Sequence, residues 1–255
     1  MSPSDTSDGG VLSAWAATRT QAAWTLRRLL RGRMLWVALL FALGPISFTI
    51  VVVQFGRATR WDDIFPPLLL LTRIVAPLLS AALIADEFEE RTFTYLWSRP
   101  LPRWSVLAGK LVGTVPVSVA LLCLVTIVCY LLGVRGAAPE APWPPLALPR
   151  ALAAVSLTAF SLALVAGGIA VLVPRHGLGV AYAYVLVLDT SMGAMPFSIQ
   201  RLSVTFNADV LGGLQPPGET ATAGASAAWL AGIGLFWLAL ALWRLSRSEF
   251  AVGDK

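Results

Sequence analysis

Four acids crowd the five positions from Asp86 to Glu90, and Arg91 follows directly. Paired carboxylates beside a cation can hold a metal or activate water, so hydrolysis is the first chemistry to test. Intramembrane proteolysis by paired glutamates also needs an arginine four positions beyond the second glutamate, and Thr94 stands there. It further draws on histidines from other segments, but His176 is the only one in the chain. Serine–histidine catalysis would rest on that same residue, which lies in the turn-forming run Pro174-Arg175-His176-Gly177. One histidine and two cysteines in an apolar run, Cys123 and Cys129, do not make a metal site. Nor is there a phosphate-cradling loop: Ala108-Gly109-Lys110-Leu111 lacks the upstream glycine and the hydroxyl after lysine that would hold magnesium. We therefore expect no catalytic residue, no metal and no cofactor in this chain. If ATP drives the protein, ATP and magnesium belong to a partner.

Two further charges, Arg73 and Asp189, stand inside long apolar runs. Each would cost on the order of 3 kcal/mol if it faced lipid, so each should face protein or water. One reading is a mutual ion pair between the second and fifth apolar runs, with Asp189→Ala destabilising and Arg73→Leu restoring the fold. The other is a polar patch along a substrate path, shared with Thr72, Thr190 and Ser191.

The elements that carry these residues follow from composition. Apolar residues make up 57% of the 255 residues and charged ones 13%, and the mean hydropathy is +0.74. A soluble domain of this size would lack the polar residues to cover its surface. The fold class is an all-α polytopic membrane protein of one domain. The pI near 9.8 reflects arginines flanking membrane spans better than nucleic-acid binding, so no nucleic-acid partner is expected. Six residues apart on a helix, Cys123 and Cys129 point to different faces and do not pair with each other.

Residues 1–10 are polar and expected to be a disordered tail. Residues 11–33 read as an amphipathic helix with Leu12, Trp15, Leu26 and Leu29 on one side and Arg27, Arg28 and Arg31 on the other. Such a helix lies along anionic headgroups, or alternatively extends the first span. Apolar runs at about 34–55, 64–85, 111–133, 150–173, 178–197 and 225–245 are six expected transmembrane helices. The first is an uncleaved anchor with Gly44-Pro45 at its centre, where a kink is expected. Residues 134–149 are a proline-rich interfacial loop with Trp143, 198–224 a polar loop, and 246–255 a tail. Ala166, Gly167, Gly168 and Ala170 in the fourth span suit close helix approach. Of the nineteen Lys and Arg residues, thirteen fall on the side of the termini and of the 86–110 stretch, and five on the other. That asymmetry places both termini and the charged stretch in the cytoplasm.

The stretch from Asp86 to Lys110 also has a recognisable order. Glu87 and Glu90, Thr92, Pro100 with Arg103, and Lys110 resemble the membrane (permease) subunit of type-2 ABC exporters in the segment between its second and third spans. Arg91 stands where that family commonly has glycine. The six-span layout, the N-terminal interfacial helix and the long loop before the last span resemble it as well. The resemblance implies a short cytoplasmic coupling helix, made of Asp86, Glu87, Glu90, Thr92, Phe93, Leu96, Trp97, Pro100, Arg103 and Lys110, that docks on ABC ATP-binding subunits. Acids at its start suit a helix N-terminus, Phe93, Leu96 and Trp97 supply anchoring area, and Arg99-Pro100-Leu101-Pro102 ends it. Arg103 and Lys110 would then sit at headgroup level.

The expected function is thus the transmembrane permease subunit of an ATP-driven exporter. The resemblance further implies a second permease chain, a hydrophobic or amphipathic substrate, and a bacterial-type cytoplasmic (inner) membrane. A membrane anchor or assembly factor that transports nothing is the alternative.

Overall fold

The computed structural model describes residues 14–55, 60–89, 103–137, 143, 146–195, 198–214 and 221–247. Every regular element among them is helical. In chain order these are α1 (Ala14–Arg31), α2 (Arg33–Phe55), α3 (Trp61–Glu89), α4 (Arg103–Arg135) and α5 (Ala147–Leu172). They are followed by α6 (Gly177–Gly193), α7 (Val204–Gly212) and α8 (Ala223–Arg247).

Five helices, α2 to α5 and α8, are long and apolar enough to cross a bilayer. The sixth, α6, is shorter than expected. It stops at Gly193 rather than running to 197, and its 17 residues reach only about 26 Å at 1.5 Å per residue. Its middle, Ala183–Asp189, is wound as a π-helix, and the Thr190 hydroxyl donates back five residues to the Val185 carbonyl at 3.3 Å. The polar loop expected over 198–224 is corrected too: a 3₁₀ turn at Ser198–Leu202 leads into α7, whose residues are largely buried. Apolar Val204, Phe206, Val210 and Leu211 drive that burial.

The bundle is built around α5, which packs against α3, α4, α7 and α8. Lipid tails are as apolar as leucine, so packing distance rather than hydrophobic drive holds such helices together. Of the small residues read in the sequence, Gly168 does this work, since a Cβ there would come within 2.9 Å of the Trp237 carbonyl oxygen. Gly234 of α8 adds a second close approach, where a Cβ would lie 3.1 Å from Ser161 Cα. α2 lies at the rim. It buries only a stripe of Ala38, Ala42, Pro45 and Thr49 and exposes Trp36, Leu40, Leu43 and Phe55 outward. The helix runs through Pro45 without a break, and the Thr49 hydroxyl donates to the Pro45 carbonyl at 2.8 Å.

Where α3 starts, Trp61 meets Phe65, Tyr130 and Trp143 at centroid distances of 5.3, 5.7 and 5.2 Å. Trp143 thereby fastens the proline-rich connection to the ends of α3 and α4. At the opposite end, α1 does not continue α2. The chain bends at Gly32, and α1 lies along the first third of α4. Cys123 and Cys129 are unpaired with one another, and the Cys123 sulfur sits 3.2 Å from the Ser156 hydroxyl.

Candidate functional site

Two regions carry the residues singled out by the sequence. The first is the charged stretch. α3 extends to Glu89 and so includes the backbone of Asp86 and Glu87. Residues 90–102 lie outside the described residues, and with them Glu90, Thr92, Phe93, Leu96, Trp97 and Pro100. The helix resumes at Arg103.

Lys110 is buried. It is 4% exposed and enclosed by protein, as are Ser105, Leu107 and Leu111 on the same helix. The cause is α1. A Cβ on Gly109 would lie 2.9 Å from the Thr18 carbonyl oxygen, and one on Gly113 would lie 3.0 Å from both the Ala22 carbonyl oxygen and Thr25 Cβ. The two glycines let α1 close over this part of α4, directly after the charged stretch.

The second region contains Arg73 and Asp189, and the structure does not pair them. Asp189 closes the π stretch of α6 and is 1% exposed. Its Oδ1 accepts the backbone N–H of Val204 at 2.7 Å. Its Oδ2 accepts the backbone N–H of Thr205 at 2.9 Å and the Thr205 hydroxyl at 2.6 Å. The Ser203 hydroxyl donates to the Asp189 carbonyl at 2.9 Å and accepts from Phe206 N–H at 3.2 Å. The first N–H groups of a helix have no intrahelical acceptor and carry partial positive charge, so a buried carboxylate is well matched there. Asp189 is thus bound to the N-terminus of α7 and is not the partner of an arginine.

Arg73 instead reaches α7 from the other side. Its Nη2 lies 3.5 Å from Asp209 Oδ1, with the two side chains 14% and 34% exposed. The partner switch has a geometric cause: α7, wedged among α3, α5 and α8, presents Asp209 to α3 and its N-terminus to α6. Thr72 is also withdrawn from any path, being fully buried with its hydroxyl donating to the Leu68 carbonyl at 2.9 Å. α3 and α6 meet elsewhere, through the Tyr182 hydroxyl, which donates to the Ile74 carbonyl at 2.9 Å.

Sequence reading missed α7 and with it Ser203, Thr205, Asn207 and Asp209. The Asn207 side-chain amide donates to the carbonyls of Arg201 and Ser203 at 2.8 and 2.7 Å, stitching the 3₁₀ turn to the helix. A signal was present: Ser203 as an N-cap and Gly212-Gly213 after an apolar run delimit a short helix. Gly213 has φ +93°, with its N–H donating to the Val210 carbonyl at 3.1 Å and Leu214 N–H to the Asp209 carbonyl at 2.8 Å. That pair of bonds is a Schellman ending. Among the described residues no cluster of His, Cys, Asp or Glu could hold a metal ion.

Apolar helices long enough to cross a bilayer, with Arg73 and Asp189 each bonded to α7, make this a multi-pass integral membrane protein. The sequence model of the family described as ABC-2 family transporter protein matches residues 47–207. The match runs from within α2 into α7 and takes in the whole charged stretch, and the chain belongs to this family. No curated protein matches it.

Proposed function

We propose that this chain is the permease subunit of an ATP-driven ABC exporter, powered by separate ATP-binding subunits that dock on the segment from Asp86 to Lys110. The observation that carries the reading is the family match, which covers that segment together with the helices α3 and α4 on either side of it. Binding and hydrolysis of ATP, with magnesium, take place on the partner. Closure of that partner presses on the segment, and α3 and α4 pass the movement into the membrane. α6 completes a layout of six crossings, with both termini in the cytoplasm of a bacterial-type cell and the basic residues on that side. Two such chains, identical or different, form the membrane half, and a hydrophobic or amphipathic substrate moves between them.

The test is reconstitution with an ABC ATP-binding subunit that associates with it. Glu90→Lys and Trp97→Ala should each abolish co-purification with that subunit, or stimulation of its ATPase, while the spans still insert. Normal coupling in both variants would sink docking through this segment. Intact docking with no substrate movement would favour an anchoring role.

A further inference from the structure

A basic surface apart from the proposed docking segment is the outer face of α1. From Ala14 to Phe55 the sequence holds five arginines and no aspartate or glutamate. Arg19, Thr20, Trp24 and Arg27 line an open recess of about 690 Å³, completed by Ala16 and Ala23. Spacings of three, four, seven and eight residues put them on one face of the helix. The opposite face, with Ala17, Thr18, Thr25 and Leu29, is buried and turned to α4. The Arg28 guanidinium lies 5.4 Å from the Trp24 ring centroid, which braces the indole beside the recess. Among the described residues no acid pairs with Arg19 or Arg27.

We propose that this recess binds the headgroup of an anionic phospholipid. Charge complementarity requires an anion, and the surroundings select a lipid over a soluble one. Trp15 is 73% exposed and Trp24 51%, and Leu26 and Leu30 are exposed between the arginines. Beyond the Gly32 bend comes Trp36, on the outward apolar face of α2. Arginines interleaved with exposed indoles and leucines, leading without a gap into an apolar rim, fit the boundary between headgroups and acyl chains. The phosphate sits between Arg19 and Arg27, about 12 Å apart along the helix axis, and the chains lie against Trp24 and the rim of α2. Because α1 closes over α4 at Gly109 and Gly113, lipid held on its outer face steadies the start of α4. The binding step stands whether or not ATP drives the protein.

The test uses the full chain purified in micelles, with phosphatidylglycerol and phosphatidylcholine of identical acyl chains. Lipid retention is read by native mass spectrometry. The parent should retain phosphatidylglycerol several-fold over phosphatidylcholine. Arg19→Gln combined with Arg27→Gln should bring the two lipids to parity, Arg19→Lys with Arg27→Lys should keep the preference, and Arg201→Gln should not alter it. Equal retention of the two lipids by the parent overturns the proposal, and this arm needs no variant. So does a glutamine double variant that keeps the preference. If that variant instead loses the ATP-binding subunit while its lipid preference is unchanged, the face is a protein interface and the proposal fails.

Discussion

Arg73 Nη2 and Asp209 Oδ1 lie 3.5 Å apart, joining residues 136 positions distant in the chain. Arg73 is the thirteenth residue of α3, about 18 Å along its axis from Trp61. A cation so placed is costly unless it is paired, and removing one partner of a buried pair costs more than removing both. The costs of Arg73→Leu and Asp209→Leu should therefore sum to more than the cost of the double variant. The expected coupling is about 1–3 kcal/mol by thermal unfolding in micelles. Arg73→Leu combined with Asp189→Ala should show none. Coupling in the second cycle and not in the first would reverse the pairing.

The carboxylate of Asp189 satisfies two backbone N–H groups and one hydroxyl of α7. Asp189→Ala leaves them buried and unpaired, at a cost of about 2–4 kcal/mol. Local opening should show first at the helix start, so amide exchange at Val204 and Thr205 should accelerate well before that of α5. Unchanged protection at these two amides would count against the capping role.

α1 touches α4 where Gly109 and Gly113 leave no room for a side chain. Gly113→Leu should push α1 away and cost about 1–3 kcal/mol, the usual range for overpacking. The expected readout is faster proteolysis within α1 together with a lowered unfolding temperature. Gly232→Leu is the control, because nothing lies within 4 Å of a Cβ there. Equal effects from both substitutions would remove the argument for close packing.

The end of α7 depends on Gly213, whose φ of +93° disfavours any Cβ. Gly213→Ala should cost about 1 kcal/mol by thermal unfolding. A stabilising effect would mean that the Schellman ending is dispensable.

Much of the bundle was legible because hydropathy and small-residue content are properties of a local window. The expected runs at 34–55, 150–173 and 225–245 end within three residues of the bounds of α2, α5 and α8. The run at 178–197 was overestimated because Met195 and Phe197 are as apolar as a span requires. Only the fold-back through Ser198–Leu202 shows that the helix has already ended at Gly193. α7 was hidden among proline and glycine signals on its C-terminal side, although its own residues from Val204 to Leu211, Asp209 apart, are buried. The burial of Lys110 was not legible for a different reason. Its position on α4 is local, but its burial is tertiary: the neighbouring Gly109 and Gly113 pack on α1, about ninety residues earlier in the chain.

By itself the sequence determined the class of protein, the charge asymmetry along the chain, the absence of a phosphate loop, and the family likeness in the stretch from Asp86 to Lys110. These depend on residue types and their spacing along one segment. Only the tertiary structure decided which charges meet. Arg73 and Asp189 invited pairing as the two intramembrane charges of opposite sign, yet each bonds to α7. The energy of a buried charge is set by what lies within a few ångströms, and α7, folded back between α3 and α6, supplies both an acid and a helix N-terminus at that range.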